Sequence, residues 1–484
     1  MLSIVIAHSY FLRFDRKQLE RAKPYPPLAT LQVASMLRRD GHAVHLFDAM
    51  LADGVEEYER LLHQVQPQLV LLYEDSFNFL SKMCLERMRR ASCEMIGLAR
   101  RVDARVLAVG SDASDAPEHY LNAGADAVLL GEGLPALGAL TQRLDLNPQL
   151  PVAQLVDGQL GVAALTGGKL SMARGAKPSS NLQPVEPPAW DLIDVERYRT
   201  VWNRAHGFFS LNMAASRGCS FRCNWCSKPI WGNRYLQRSA RGVAAEMADL
   251  KRRFHPDHIW FADDIFGFRV DWITEFAQAT RAEGGALPFT IQTRADLISV
   301  AMARALRQAG CAEAWIGAES GSQRVLNAMN KGITVEEILT ARARLKAENI
   351  RVGFFIQIGY LGEQLEDILA TRDLIELAQP DDIGVSVSYP LPGTPFYDQV
   401  KAQLGTKTHW QESNDLEMMF HGTYRSDFYR AVRELLHDQV SAQQLNANQG
   451  QQSLQGRWDS LIAREPQYRR DAGTAFDSDT ALAV

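Results

Sequence analysis

The 484-residue sequence predicts an α/β protein made of two parallel-sheet units followed by a helical tail. Three observations carry that prediction. Five short runs rich in Val, Leu and Ile alternate with helical stretches over residues 1–145. Six further strand-like runs alternate with five helical stretches between about 208 and 389. From about 401 the chain becomes more polar and mostly helical. Apolar runs of this kind suit strands buried on both faces of a parallel sheet.

In the first unit the expected strands are "LSIVIA", "HAVHLF", "QLVLLY", "ARVLAVG" and "ADAVLL". The helices between them are "LATLQVASMLRRDG", "VEEYERLLHQV", "LERMRRASCEMIGLARR" and "DAPEHYLNAG". Gly41 and Gly124 close two of these helices, as a glycine after the last turn commonly does. Five strands so connected make a doubly wound, Rossmann-like parallel sheet, whose ligands bind beyond the carboxyl ends of the strands. The loops there are "AHSYF", "LYEDSFNF" and "GSDASDAP", with Gly131, Glu132 and Gly133 after the fifth strand. The opening "MLSIVIAHSYF" is short, lacks a basic leader, and reads as a buried strand rather than a signal peptide. Residues 146–198, with short hairpins and a polar Pro-containing stretch, read as a connector.

The second unit, 199–400, is expected to place strands at "FFSLNMAAS", "HIWFAD", "PFTIQT", "AEAWIGA", "VGFFIQIG" and "IGVSVSY". Its helix "VAAEMADLKRRF" sets Val243, Met247, Leu250 and Phe254 on one face. Thr334 and Glu337 form a capping box for a later helix. The series makes an open, six-unit (β/α) partial TIM barrel, with its chemistry on the loops that follow the strands. In the tail, 401–484, a stripe of Trp410, Met418, Met419, Phe420, Tyr424, Phe428 and Tyr429 reads as a helix packing on the barrel. The end, "DAGTAFDSDTALAV", is expected to be disordered.

A net charge of −5 gives no electrostatic reason to expect nucleic acid or an anionic membrane as partner. No apolar run approaches the ~18 residues that would span a bilayer. The expected location is therefore cytoplasmic, where thiols stay reduced and clustered cysteines favour metal or catalysis over disulfides. Three of the six cysteines, Cys219, Cys223 and Cys226, fall within "RGCSFRCNWCSKP", on the loop after the first barrel strand. Structural zinc takes four protein ligands, and a fourth here could come from His206 or Cys311. The same spacing suits three corners of one iron–sulfur cubane, leaving its fourth iron open to a small molecule. Cys84 and Cys93, on different faces of one helix, and Cys311, at the start of the fourth barrel strand, read as buried free thiols.

Cys219-x3-Cys223-x2-Cys226, with Trp225 before the last cysteine, on the first loop of a six-unit βα series, resembles the radical S-adenosylmethionine enzymes. "WFADDIFGF", "TRADLI", "WIGAESGSQRVLNAMNKGIT", "GFFIQIGYLGEQLEDI" and "SVSYPLPGTPFYDQV" resemble the later strand segments of that family, in order, across about 200–400. The resemblance implies that the three cysteines ligate a 4Fe–4S cluster and that S-adenosylmethionine binds its open iron. It places Trp225 near the adenine, Glu319 and Ser320 at the ribose or methionine moiety, and Gln357 and Gly359 near the adenosine. Asp263 or Asp264 would meet the cofactor's amino group or the substrate. Plainer roles compete with these. Asp263 and Asp264 could cap a turn, Glu319 could pair with Arg294, the glycines from 359 to 362 could serve only the turn, and Tyr389 could be core.

The first unit resembles the cobalamin-binding domain attached to many such enzymes, through "PYPPLATLQVASMLRRDGHAVHLFDA" and "GSDASDAPEHYLNAGADAVLLGEG". The implied cofactor rim comprises His8, Tyr10, Glu74, Ser76, Gly110, Ser111, Gly131, Glu132 and Gly133. No Asp-x-His-x-x-Gly pattern is present, and of His8, His42, His45, His63 and His119 only His8 sits at a strand end as a candidate axial ligand.

Together these resemblances imply a cobalamin-dependent radical enzyme that methylates an unactivated carbon of a small molecule or natural product. Methylcobalamin would deliver the methyl group, and a donor such as flavodoxin or ferredoxin the electrons. A radical cyclase of the anaerobic magnesium-protoporphyrin ester type, or another rearrangement, is the alternative on the same scaffold. A non-enzymatic zinc or iron–sulfur module is the third reading.

Overall fold

The five apolar runs of the first unit form β1 (Ser3–Ala7), β2 (Ala43–Phe47), β3 (Leu69–Tyr73), β4 (Arg105–Val109) and β5 (Ala127–Leu129). The alternation within β1 and β3 explains why the runs are continuous. Ile4, Ile6, Leu69 and Leu71 point into one buried core, while Val5, Ala7, Val70 and Leu72 point into a second on the opposite face. The computed structural model describes residues 1–78, 86–173, 175, 187–226, 234–404, 416–445 and 448–470. Cys84, Trp410 and the tail from 471 to 484 lie outside the described residues.

The first sheet has seven strands, in the order β2-β1-β3-β4-β5-β6-β7. Five are parallel, as expected. The connector adds an antiparallel hairpin, β6 (Val162–Thr166) and β7 (Lys169–Ala173), to the exposed side of β5. The hairpin supplies the hydrogen bonds that side of β5 would otherwise lack, so the sheet is larger than the five strands read from the sequence. Strand order reverses between β1 and β3, and a doubly wound sheet opens its ligand crevice at that switch point. "GSDASDAP", read as loop, is largely helical over Ser111–Asp115. The Ser114 hydroxyl donates back to the Gly110 carbonyl at 2.7 Å, which closes that turn.

The second sheet is wholly parallel: β8 (Ser210–Met213), β11 (His258–Phe261), β12 (Phe289–Thr293), β13 (Cys311–Glu319), β14 (Arg351–Ile358) and β15 (Asp382–Val387), neighbours in chain order. β8 and β15 are its two edges, so it is a half barrel and not a closed one. A two-stranded clip, β9 (Ser216–Arg217) with β10 (Leu236–Gln237), follows β8 and brackets the cysteine loop. The Thr334–Glu337 capping box forms as expected.

One polar layer crosses four strands of the half barrel. The His258 ring joins the Ser210 hydroxyl at 2.8 Å and the Thr290 hydroxyl at 3.0 Å, and Thr290 donates to Glu313 at 3.3 Å. Burial pushes His258 down to about 4, so the ring is neutral there at ordinary pH.

The segment Pro24–Pro27 joins the two sheets along β8. Three side chains of the second unit reach it: Trp202 Nε1 donates to the Pro24 carbonyl at 2.7 Å, Asn212 Nδ2 donates to Pro26 at 2.9 Å, and the Ser210 hydroxyl pairs with Tyr25 at 3.1 Å. The Tyr25 ring packs between Trp202 and Trp260. On the opposite edge, helix Ser426–Leu445 covers β15. Its Gln439 and Gln444 donate to the carbonyls of Arg372 and Asp381 at 3.2 and 2.6 Å. Met418, Met419, Phe420, Tyr424, Phe428 and Tyr429 are all core residues, although only Phe428 and Tyr429 lie on that helix.

Trp202 is fully buried and anchors the proline segment. Trp202→Ala should cost about 3–5 kcal/mol of stability, as large buried aromatic truncations do. Chemical denaturation would show this as a lowered midpoint, and limited proteolysis as faster cleavage between the sheets.

Candidate functional site

The cysteine loop leaves β8 and is tied down at both ends. Asp263, after β11, accepts the Ala215 N–H at 2.9 Å and the Ser216 hydroxyl, which braces the start of the loop. Burial pushes Asp263 up to about 7 despite those two bonds, with Asp264 adding like-charge repulsion. Gly218 has φ +77°, a left-handed turn that brings Cys219 around. Further on, Asn224 acts as the anchor. Its N–H donates to Met329 O at 3.0 Å, its carbonyl accepts from Phe396 N–H at 2.9 Å, and its side-chain amide reaches the Ala328 carbonyl at 2.7 Å and the Tyr360 hydroxyl at 2.8 Å. The loop is thereby pinned to the end of the short helix Gln323–Ala328 that follows β13, to the turn after β14 and to the helix Pro395–Val400.

Cys219, Cys223 and Cys226 are each half-buried on this loop. Among the described residues no three Cys, His, Asp or Glu side chains converge as the ligand set of one metal ion. A cubane asks for something different, because each thiolate binds its own iron at a separate corner. The zinc alternatives find no support in the geometry. His206 bonds the Arg21 and Ala22 carbonyls at 3.1 Å, and Cys311 begins β13 at the end of the barrel away from the loop.

The carboxyl ends of the other strands surround the loop. Glu319, at the end of β13, sits where the register with β14 shifts, and has φ +60°. Its carboxylate is paired with the buried Lys331 ammonium at 2.7 Å, not with Arg294 as the plainer sequence reading had it. Arg294 instead pairs with Asp296 at 2.9 Å. The Ser320 hydroxyl turns to Thr371 at 3.2 Å and to the Ser322 N–H at 3.1 Å. Gln357 Oε1 and the indole N–H of Trp225 are buried with no hydrogen-bond partner among the described residues. So are the hydroxyls of Thr293 and Ser388, at the ends of β12 and β15, which the sequence reading missed. A buried polar atom without a partner is costly, so unpartnered groups at neighbouring strand ends fit a polar ligand supplied from outside the chain. Three half-buried thiols and these groups suit a cluster and S-adenosylmethionine. Tyr389, half-buried, packs against the core.

The Gly359 turn after β14 has its own support. Gly359 has φ +76°, and a Cβ there would stand 2.9 Å from Met418 Sδ. Its N–H donates to Glu363, whose carboxyl is buried and pushed up to about 8 by that burial. Tyr429 packs close by; burial and the Glu363 charge hold its hydroxyl far above the usual range.

The rim of the first sheet gathers the residues expected there, in varied states. His8 is 1% exposed, with Nε2 3.0 Å from Asp48 and accepting the Ala49 N–H at 3.1 Å. Burial disfavours its charged form, but Asp48, Glu74 and Asp75 outweigh that and raise it. Tyr10 is buried, its hydroxyl on Asp15 at 3.0 Å. Glu74 accepts the Ser9 N–H at 2.9 Å across the switch point, and burial raises it. Gly110 packs on the Glu74 side chain, and the Ser76 hydroxyl is buried without a partner among the described residues. Ser111 opens its short helix, and Gly131 N–H donates to Ser114 at 2.9 Å. Gly133 opens the helix Leu134–Leu146. Cys93, expected to be buried, is only half-buried. It lies outside the stripe of Met88, Ala91, Ser92, Met95 and Ile96 that its helix buries.

Arg217, two residues before Cys219, links the two rims. It pairs with Glu132 at 3.0 Å, bonds Gln32, and lies over the Phe77 ring at 5.5 Å. The cysteine loop therefore faces the switch-point edge of the first sheet.

A half barrel with three cysteines on its first loop defines a class, and residues 213–375 match the family described as the Radical SAM superfamily. The chain carries a radical S-adenosylmethionine domain and is an enzyme. It is 24% identical to an uncharacterised methyltransferase of Pyrococcus horikoshii, over 81% of this chain and 82% of that one. It is 24% identical to the anaerobic magnesium-protoporphyrin IX monomethyl ester cyclase of Cereibacter sphaeroides, over 80% and 62%. The radical S-adenosylmethionine methyltransferase TsrM of Kitasatospora setae, solved with cobalamin and a 4Fe–4S cluster bound, shares the fold with a TM-score of 0.66. That match holds at 17% identity over 84% of this chain and 76% of that one. Among the described residues no helix is long and apolar enough to cross a membrane.

Glu363 makes a testable contribution to stability. Its folded value, about 8, lies above the ordinary 4.5, so its contribution is complete below about 4.5 and is lost as pH rises through 8. Thermal denaturation across that window should fall more steeply for the native chain than for Glu363→Gln, which keeps an acceptor for Gly359 but cannot ionise.

Proposed function

We propose that the chain is a cobalamin-dependent radical S-adenosylmethionine methyltransferase that methylates an unactivated carbon of a small molecule or natural product. The observation that carries this reading is the Arg217–Glu132 pair, which sets the cysteine loop against the rim of the first sheet. In such an enzyme the cluster and S-adenosylmethionine supply a hydrogen-abstracting 5′-deoxyadenosyl radical, and methylcobalamin supplies the methyl group. The chain's task is to place these groups and keep water out.

Cys219, Cys223 and Cys226 would hold the cluster. Trp225, Gln357, Thr293 and Ser388 carry polar groups, unpartnered among the described residues, that S-adenosylmethionine would satisfy. Glu319, held by Lys331, presents a fixed carboxylate at the same mouth, with Ser320 and Gly359 shaping the adjoining turns. Asp263 acts through the loop it braces, with Asp264 beside it. Residues 1–145 would hold cobalamin on the rim formed by Glu74, Ser76, Gly110, Ser111 and Gly131 to Gly133. Tyr10 and His8 stand behind it, and the engaged Nε2 of His8 favours a corrin without a histidine beneath it. Residues 146–198 connect this part to the radical domain at 199–400, and helix Ser426–Leu445 covers β15. The net charge of −5 supports a small-molecule substrate over nucleic acid. A low-potential donor such as flavodoxin or ferredoxin would supply electrons in the cytoplasm.

The similarity to the ester cyclase favours a second reading, an oxidative cyclisation on the same scaffold. Product analysis separates the two. Anaerobic protein reconstituted with iron and sulfide, then given hydroxocobalamin, dithionite, S-adenosylmethionine and candidate substrates, should yield both 5′-deoxyadenosine and S-adenosylhomocysteine. Deoxyadenosine alone, without retained cobalamin, would favour cyclisation or rearrangement. Zinc in place of a cluster would sink both. Cys223→Ala should lose most of the bound iron and reduce deoxyadenosine formation by at least a hundredfold, read by iron analysis and chromatography.

A further inference from the structure

Arg294 follows β12 and is only 5% exposed, with its guanidinium engaged along its edge and on one face. Nε and Nη2 donate to the Asp296 carboxylate at 2.9 and 3.2 Å, and Nη2 also donates to the Lys331 carbonyl at 2.9 Å. The plane lies over the Phe221 ring, 3.6 Å from its centroid. The remaining nitrogen, Nη1, donates to Cys223 Sγ at 3.8 Å. Phe221 itself stands between Cys219 and Cys223 in the chain. A guanidinium fixed by a carboxylate, a carbonyl and a ring cannot swing away, and an arginine stays charged at any working pH. One of the two N–H groups left on Nη1 is therefore held toward one thiol of the cysteine loop.

We propose that Arg294 is a positioning residue that sets the reduction potential of the cluster through Cys223, while Asp296 limits how far. The inference rests on the reading of the three cysteines as cluster ligands. Hydrogen bonds to cluster sulfurs and local net charge are among the factors that set iron–sulfur potentials. Reduction adds one electron and no proton to the site, so a donor and a positive charge at a ligand sulfur stabilise the reduced form more than the oxidised form. The electron comes from an external low-potential one-electron donor. Arg294 thus makes the cluster easier to reduce. Asp296 neutralises part of that charge and pulls the other way.

The two residues make opposite predictions. Arg294→Gln, reconstituted anaerobically and titrated with dithionite under electron paramagnetic resonance, should show about a tenfold lower ratio of reduced to oxidised cluster at a fixed potential. For a one-electron couple that is a downward shift of about 59 mV. Asp296→Asn should shift the ratio upward. A role confined to packing would change how much cluster is retained without changing the potential of what remains. Unchanged potentials in both variants, with iron and sulfide intact, would overturn the inference and leave the cluster assignment standing. If Arg294→Gln retains no cluster, Asp296→Asn decides alone. A native chain that binds no iron–sulfur cluster would overturn both readings together.

Discussion

A half barrel has two edges, and this architecture follows from how each is covered. β8 and β15 each present a row of backbone groups with no neighbouring strand, which invites aggregation unless something occupies it. On β8 the cover is a proline-rich segment of the first sheet's unit. Proline has no N–H to offer a strand, so the contact is made by side chains of the barrel reaching for Pro24 and Pro26 carbonyls. On β15 the cover is a helix whose Gln444 caps the Asp381 carbonyl at the strand's entrance, while its Gln439 reaches the Arg372 carbonyl in the preceding helix. Neither edge needs a seventh and eighth strand, and the barrel stays open.

That choice of covers decides which surfaces meet. Once the first sheet is moored along β8, its switch-point rim stands opposite the loop that leaves β8, and Arg217 spans the distance to Glu132. The burial of that carboxylate raises it, with the guanidinium opposing. The same logic applies at β15. The covering segment brings Met418 and Tyr429 against the Gly359 turn, and Thr423 donates its hydroxyl to the Glu363 carbonyl at 2.6 Å. A region with no thiol in the site therefore shapes the turn beside it.

Both sheets were legible in the sequence because strands buried on two faces leave uninterrupted apolar runs. The three cysteines were legible because their spacing is local. What was not legible depends on partners far apart in the chain. Lys331 rather than Arg294 holds Glu319, and no pattern in the sequence around Glu319 distinguishes the two cations. The β6–β7 hairpin could be read as a hairpin, but whether it floats on the surface or extends a sheet depends on the free side of β5. Thr293 and Ser388 carry no motif; they stand out only because burial leaves their hydroxyls without partners among the described residues. The sequence marks His8 only by its place at a strand end, and its tie to Asp48 appears only when β2's following loop is folded against it.

The anchoring of Asn224 also has a consequence in time. Its acceptors lie 104 and 136 residues later in the chain. At roughly 5–20 residues per second of synthesis, the three thiols emerge from the ribosome on the order of ten seconds before the groups that fix their loop exist. During that interval they are on an unanchored segment, open to oxidants and to any passing metal. The finished geometry cannot select its metal by templating at birth. A cluster seated in the finished geometry is therefore one whose ligands were fixed only after Tyr360 and Phe396 had closed on Asn224.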